Sequence, residues 1–212
     1  MKYIRLFEDF QLGDLNFMSP EEIKGLFFEE CRKSTPDLEL IRVIVENGLV
    51  DVSAKNKWDE TPLHRAGSVE LAKLLIDSGA DVRAKNKWDN TPLHLAVGRD
   101  NKELAELLIA SGADVNTKGY LDRTPLHVVV WRDNIDLAKL LIASGADVKA
   151  KDEDDETPLH RAVRWDNIAL AELLIASGAD VNTKGWFGGT KPLDLVKSEE
   201  MKSLLKQHGA VE

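Results

Sequence analysis

The tetrapeptide TPLH recurs along this chain at a nearly constant interval. A degraded copy, TKPLD, begins at Thr190, and residues 104–119 reappear unchanged as residues 170–185. Repetition at this period is typical of architectures in which each repeat is one supersecondary unit that buries its apolar face by stacking on its neighbours. The four intact copies, separated by 30, 33 and 33 residues, begin at Thr61, Thr91, Thr124 and Thr157.

Each repeat is predicted to be a helical hairpin. The threonine of TPLH is a good N-cap, and the proline after it occupies the first helical position, where a missing N–H costs no hydrogen bond. Further on, Leu104, Leu107 and Leu108 show the i, i+3, i+4 spacing of one buried helical face. A glycine stands just past each second helix, where a left-handed C-cap is favoured. These glycines are Gly79, Gly112, Gly145 and Gly178.

The 33-residue period, TPLH and the GADVN tail together resemble the ankyrin repeat family over most of the chain. The resemblance implies an all-α fold, an ankyrin-repeat α-solenoid of helix-turn-helix repeats joined by β-hairpin-like fingers, with about six repeats including divergent caps. In that family the threonine hydroxyl and the histidine imidazole of TPLH form hydrogen bonds within and between neighbouring repeats. Asp194 replaces the histidine in the last copy, which leaves the inter-repeat bond open there. The resemblance assigns the structural role to Thr61, His64, Thr91, His94, Thr124, His127, Thr157 and His160.

The finger, the segment immediately before each TPLH, departs from the family pattern at one position. The family often has glycine two residues before the threonine, and here only Gly188 keeps it. Aspartate tolerates left-handed backbone geometry better than most residues, so the turn is expected to survive. The aspartates that stand there are Asp59, Asp89, Asp122 and Asp155.

The ends of the chain differ from its centre. Residues 19–52 are predicted to form a divergent N-terminal capping repeat that begins with a capping box, residues 53–189 the central repeats, and residues 190–212 a shortened C-terminal capping repeat. Residues 1–18 lie outside the pattern, and they either pack on the cap or act as a tether or partner-binding arm. The repeats that start at Thr61 and Thr190 have both lost three residues between their helices.

Catalytic chemistry is not indicated. Four of the five histidines belong to TPLH, and no nucleophile motif, phosphate loop or metal-ligand spacing appears, so no enzyme activity, cofactor or metal is expected. The acidic run 152–156 lacks the ligand spacing of a calcium loop and is interpreted as a solvated finger tip. Some eukaryotic relatives are hydroxylated at the asparagine of DVN, which leaves that modification open for Asn116 and Asn182.

Composition and charge narrow the setting. The single cysteine, Cys31, excludes an intrachain disulfide and favours a reducing environment. A net charge of −9 repels phosphate backbones, so no nucleic-acid partner is expected. No stretch approaches the roughly 20 apolar residues that span a bilayer, and the first residues lack the apolar run of a secretory signal. We therefore expect a cytoplasmic protein that does not bind membranes.

Partner-facing positions are implied by the family resemblance. Two sets vary in ankyrin proteins, namely the finger and the end of the first helix, and all five tryptophans of this chain fall in them. Tryptophan, tyrosine and arginine are enriched at binding hot spots. Trp58 and Trp88 share an identical KNKWD segment, so one could be a passive copy, and an indole can also serve only to stiffen the stack. The candidate partner-binding residues are Trp58, Trp88, Arg99, Tyr120, Leu121, Arg123, Trp131, Arg132, Arg164, Trp165, Trp186 and Phe187.

The footprint is predicted to centre on the three repeats that start at Thr91, Thr124 and Thr157, because only they keep a full-length first helix. Arg99, Arg132 and Arg164 are expected to form cation–π pairs with the neighbouring indoles. An acidic or amphipathic segment would suit this basic, aromatic face, with its basic end near residues 152–156.

The leading functional hypothesis is a non-catalytic protein-binding scaffold, whether adaptor, inhibitor or effector, that is monomeric when free. A structural or self-assembling protein that uses residues 1–18 for self-association is the alternative. An enzyme or small-molecule binder is a third hypothesis, for which the sequence supplies no constellation of residues.

Overall fold

The computed structural model describes residue 15, residues 17–185 and residues 189–212, and every regular element in them is a helix. The predicted all-α fold is confirmed. The helices come in pairs, and each pair has a first and a second helix. They are α1 (Pro20–Arg32) and α2 (Leu38–Glu46), α3 (Pro62–Arg65) and α4 (Val69–Asp77), α5 (Pro92–Gly98) and α6 (Lys102–Ala110), α7 (Pro125–Val129) and α8 (Ile135–Ala143), α9 (Pro158–Arg164) and α10 (Ile168–Ala176), and a 3₁₀ turn (Pro192–Leu195) before α11 (Glu199–Gln207).

The chain divides into two compact units, Met1–Asp81 with helices α1 to α4 and Val82–Glu212 with helices α5 to α11. In the second unit α7 packs between α5 and α9, and α9 packs on the turn Pro192–Leu195. The second helices form a parallel row, since α8 packs between α6 and α10 and α10 packs on α11. This row-by-row stacking is the arrangement that the repeat predicted.

Local sequence sets the ends of the helices. Ser19 and Glu22 form the predicted capping box at the start of α1. Each second helix starts at an Asp, Ser or Asn whose side chain accepts a backbone N–H from the first turn, as Asn101 does from Leu104 at 2.9 Å. The predicted C-cap glycines all adopt left-handed geometry, with φ between 91° and 94°.

The core is aliphatic and nearly the same in every repeat of the second unit. In α6 the side chains of Leu104, Ala105 and Leu108 are buried, and α8 and α10 bury the matching residues. A close-packed interior is sensitive to the loss of a few methyl groups, and a buried Leu→Ala change typically lowers the free energy of unfolding by about 2–5 kcal/mol. Because Leu, Ala and Val fill the interior here, no large aromatic side chain is needed between the central helices.

The fingers turn as predicted. Asp59, Asp89, Asp122 and Asp155 have φ between 56° and 58°, in the left-handed region. In the finger before α5, the backbone N–H of Asn86 donates to the carbonyl of Asn90 at 3.1 Å, and its side-chain Oδ1 accepts the N–H groups of Trp88 and Asn90. Gly188 lies outside the described residues.

Each TPLH histidine of the second unit joins its own helix to the next finger. The Thr124 N–H donates to Nδ1 of His127 at 3.2 Å, so Nδ1 is the acceptor nitrogen. The proton is therefore on Nε2, which donates to the carbonyl of Glu156 at 3.0 Å. His94 and His160 reach the carbonyls of Arg123 and Thr190 in the same way. These hydrogen bonds within and between repeats are the ones that the family resemblance implies for TPLH.

The last repeat lacks this histidine and bonds differently. The Asp194 carboxylate accepts the Lys191 N–H at 2.7 Å, so it reproduces the bond within the repeat. An ionised carboxylate has no proton to donate to a following finger.

A second hydrogen-bond ladder, which the sequence analysis missed, runs between the starts of the second helices. Asn134 Nδ2 donates to Oδ1 of Asp100, Asn167 Nδ2 to Oδ1 of Asp133, and Ser198 Oγ to Oδ1 of Asp166, each at 2.6 Å. The three aspartates have φ of 55–61°. The ladder fixes the loop between the two helices of each repeat in the second unit.

First-helix length differs between repeats as the three missing residues predicted. α3 and the turn Pro192–Leu195 have four residues each, whereas α5 and α9 have seven. The α7 segment has five residues and continues as a 3₁₀ turn, Val130–Arg132. Full-length first helices thus occur side by side in the second unit.

Stability should fall on mild acidification because the histidines are buried as neutral groups. Burial lowers the pKa of His127 from 6.5 to about 4, and it lowers the pKa of His160 as well. A depressed pKa contributes stability that is complete above pH 6.5 and is lost as the pH falls towards 4. For His127 the loss between pH 7 and pH 5 is on the order of 2 kcal/mol. Urea unfolding at both pH values measures it.

The variant His127→Gln is the control for this pH dependence. It removes the titrating group, so its free energy of unfolding should change less between pH 7 and pH 5 than that of the wild type. The same pH dependence in both proteins would show that His127 does not contribute to it.

Candidate protein-binding surface

Two exposed tryptophans stand side by side at the ends of neighbouring first helices. Trp131 lies in the 3₁₀ turn after α7 and Trp165 is the C-cap residue of α9. Their side chains are 57% and 56% exposed, and the ring centroids are 5.8 Å apart at an interplanar angle of 54°. Tilted aromatic contacts of this kind are favourable, but the pair leaves most of both rings in solvent. We call Trp131 and Trp165 the indole pair.

Cations lie over both rings of the indole pair. The guanidinium carbons of Arg123 and Arg161 are 5.7 Å and 6.0 Å from the Trp131 ring centroid, and Lys197 Nζ is 5.8 Å from that of Trp165. The sequence analysis expected cations from the ends of the first helices. The observed ones come from a finger, from the middle of α9 and from the segment before α11.

Beneath Trp131 lies an ion cluster, which we define as Arg123, Asp152, Glu156, Arg161 and Arg164. Arg161 pairs closely with Asp152 and lies 3.8 Å from Glu156, while Arg164 pairs closely with Glu156. Arg123 Nε is 3.7 Å from Oδ2 of Asp152. Asp152 and Glu156 are only 5% exposed. Their charges are therefore neutralised inside the protein.

This burial corrects the interpretation of residues 152–156 as a solvated finger tip that would bind the basic end of a partner. Glu153 and Asp155 are exposed, but Asp152 and Glu156 point inward and are already paired with arginines. Asp152 Oδ1 also accepts the N–H groups of Asp154 and Glu156, which closes the finger turn. The same residue therefore closes the finger turn and anchors the ion cluster.

The pKa values follow from burial and charge. Burial disfavours ionisation of Asp152, but the hydrogen bond and charge of Arg161 outweigh it, so the pKa of Asp152 is lowered. Burial also lowers the pKa of the Arg123 guanidinium, and the neighbouring charge of Arg161 lowers it further. The positive groups of the ion cluster thus repel one another.

The octapeptide DETPLHRA occurs twice, as residues 59–66 and 155–162, and shows what creates the ion cluster. In the first copy Arg65 Nη1 lies 3.2 Å from Glu60 Oε2, and Asn56 Nδ2 donates to that oxygen at 3.0 Å. Three residues before the second copy stands Asp152, at the position that Asn56 occupies before the first copy. The amide donates to the glutamate, whereas the carboxylate repels it and attracts additional arginines.

Two pockets flank Trp131. One, of about 270 Å³, is lined by Gly98, Arg123, Val128, Trp131 and Arg132, and we call it the arginine pocket. The other, of about 480 Å³, has both members of the indole pair together with Asp133 and Asp166 in its lining. Each aspartate already accepts a hydrogen bond in the ladder between the starts of the second helices.

The structure brings one group of the predicted partner-binding residues together. Each member of this group belongs to the ion cluster, the arginine pocket or the indole pair. The members are Arg123, Trp131, Arg132, Arg164 and Trp165. Sequence reasoning missed Arg161 and Lys197. The signal for Arg161 was its place after the TPLH histidine, nine residues beyond the start of an acidic finger.

The other predicted residues are placed separately. Tyr120 is exposed, and Leu121 is half-buried, with its carbonyl accepting the Glu153 N–H at 3.0 Å. Arg99 is exposed at the end of α5. Trp58, in the first unit, is exposed with Lys57 Nζ 4.9 Å from its ring centroid, and Trp88, in the second, is also exposed. Trp186 and Phe187 lie outside the described residues and stay predictions.

The described part of the chain has neither a metal-ligand cluster nor a membrane-spanning helix. No group of three or more His, Cys, Asp or Glu side chains there could hold a metal ion. None of its helices has the length and apolar character to cross a membrane.

Replacing Arg161 by Met should destabilise the second unit strongly. The change leaves Asp152 and Glu156 buried with fewer partners, and breaking a buried ion pair from one side costs about 3 kcal/mol or more. Arg65→Met in the first copy of DETPLHRA is the matched control. Its side chain is 24% exposed rather than 5%, so we expect a loss of about 1 kcal/mol. Urea unfolding measures both, and equal losses would contradict the role given to the ion cluster.

The comparisons with known proteins agree with the fold. The family described as ankyrin repeats (3 copies) matches residues 31–119 and 118–185, which together cover more than half of the chain. No curated protein matches it significantly. Ankyrin repeats generally mediate protein–protein interaction and are typically non-catalytic. With its stacked helical pairs and TPLH hydrogen bonds, this chain belongs to the ankyrin repeat family.

Proposed function

We propose that this protein is a non-catalytic scaffold that binds a partner protein through the second unit, on the face made by the first helices α5, α7 and α9 and the fingers before them. The observation that supports it best is the exposure of the indole pair. Large aromatic side chains that remain exposed beside arginines have the composition of binding hot spots. A protein partner is the expected ligand, because ankyrin repeats generally mediate protein–protein interaction.

The contrast between core and surface strengthens the proposal. Leu, Ala and Val fill the interior of the second unit, so its exposed indoles are not needed for packing there. Leaving an indole in water forgoes roughly 2–3 kcal/mol of burial free energy, which a partner can recover by covering it. The indole pair therefore presents hydrophobic surface that is not buried within the protein itself and that a partner can cover.

The position of the indole pair fits such a surface. Both residues lie at the ends of full-length first helices, and Arg123 of the finger before α7 lies over the Trp131 ring. A partner segment lying across α7 and α9 would contact both rings together. Rigid helical supports keep the rings in place before binding, which reduces the ordering cost of association.

Changing Trp131 and Trp165 together to Ala should abolish partner capture. We expect a loss of affinity on the order of a thousandfold, because truncating hot-spot tryptophans typically costs about 2 kcal/mol each. The measurement is affinity capture from a lysate of the source organism with mass spectrometry, followed by binding curves for the captured protein.

The matched control for this experiment is the pair Glu106→Ala with Lys139→Ala, two exposed residues of the second helices α6 and α8. Circular dichroism and thermal unfolding establish that both variants are folded. If a folded double-tryptophan variant captured the same partner as strongly as the control, the indole pair would not be the binding surface.

A further inference from the structure

We infer that the partner binds with an acidic side chain, whose carboxylate occupies the arginine pocket beside an apolar residue that covers Trp131. This inference rests on the proposed function and specifies the chemistry of the partner at the same surface. Four observations favour it, namely the charge of the ion cluster, the hydrogen bonding and exposure of the two arginines in the pocket, the cations already present at the indole faces, and the size and lining of the pocket.

The ion cluster has more positive than negative charge. Three guanidinium groups, those of Arg123, Arg161 and Arg164, face two carboxylates, those of Asp152 and Glu156. The Nε atoms of these arginines are buried and have no hydrogen-bond partner among the described residues. The ion cluster by itself therefore has one more positive than negative charge close to Trp131, where the surrounding protein screens it less than water would, and the Asp154 carboxylate also acts on Arg123.

Two arginines of the arginine pocket are available to an anion. Arg123 makes no side-chain hydrogen bond within the described residues, and its side chain is 21% exposed at the pocket. Arg132 is exposed and has no carboxylate partner in the same part of the chain. Guanidinium groups bind carboxylates through short, charge-assisted and often bidentate hydrogen bonds.

The indole faces argue against a basic ligand. Trp131 already has the guanidinium groups of Arg123 and Arg161 within about 6 Å of its ring, and Trp165 has Lys197. A lysine or arginine of a partner would compete with these cations and be repelled by them. A carboxylate would instead gain from the same positive charges.

The shape of the arginine pocket fits one side chain. Its volume of about 270 Å³ is below the roughly 300–1,000 Å³ of drug-sized ligand sites. Val128 and Gly98 supply an apolar lining, and the Trp131 ring forms one wall. An aspartate or glutamate next to an aliphatic or aromatic residue would place its carboxylate at the arginines and its neighbour on the indole.

The test is selection of binders from a random peptide library displayed on phage, with the full chain as bait. Selected peptides should be enriched in Asp and Glu next to aliphatic or aromatic residues. Synthetic copies should bind about tenfold more weakly to Arg132→Gln, which removes one charge outside the ion cluster. Their affinity for Lys139→Gln, the same charge change on α8, should be unaltered.

The outcomes separate this inference from the proposed function. Peptides that are basic or neutral, that require Trp131 and that tolerate Arg132→Gln would overturn the acidic-partner inference and leave protein binding at the indole pair intact. If no selected peptide lost affinity for Trp131→Ala, both the inference and the proposed binding surface would be overturned.

Discussion

The second unit depends on a hydrogen bond from a neutral histidine to the finger of the next repeat. His127 donates from Nε2 to the Glu156 carbonyl because its Nδ1 is occupied by the Thr124 N–H, which fixes the tautomer. The bond is buried, so a broken one would leave two polar groups without water. Helix start, finger position and repeat spacing are thereby set by one side chain.

That framework determines which residues are not needed for stacking. Because aliphatic side chains and TPLH hold the stack together, the tryptophans of the described fingers and first-helix ends remain exposed, while Arg123 and Arg164 belong to the ion cluster. Their arrangement then follows from small local differences. Trp131 stands one residue earlier in its repeat than Trp165 and lies in the 3₁₀ turn after α7, and the two rings meet at an interplanar angle of 54°.

The repetitive part of the fold could be predicted from the sequence, because the same signals occur several times. The C-cap glycines and the left-handed finger aspartates follow from local preferences, and the TPLH bonds from the family resemblance. The ion cluster could not be predicted in this way. Arg65 and Arg161 occupy identical octapeptides, and residues outside them make their environments different. Asn56 is replaced by Asp152, and the short α3 has no counterpart of Arg164. The acidic composition of residues 152–156 suggested a solvent-exposed segment, whereas the finger turn directs the side chains of Asp152 and Glu156 inward.

The hydrogen-bond ladder between the second helices bears on how a chain of this kind can gain or lose repeats. It joins Asp100, Asp133 and Asp166 to Asn134, Asn167 and Ser198. Each internal repeat offers an aspartate acceptor on one side and a side-chain donor on the other, with an amide donor at two junctions and a hydroxyl at the last. A duplicated internal repeat therefore finds its docking groups already in place. Recombination can lengthen the stack or reorder its repeats while the joints between them stay as they are.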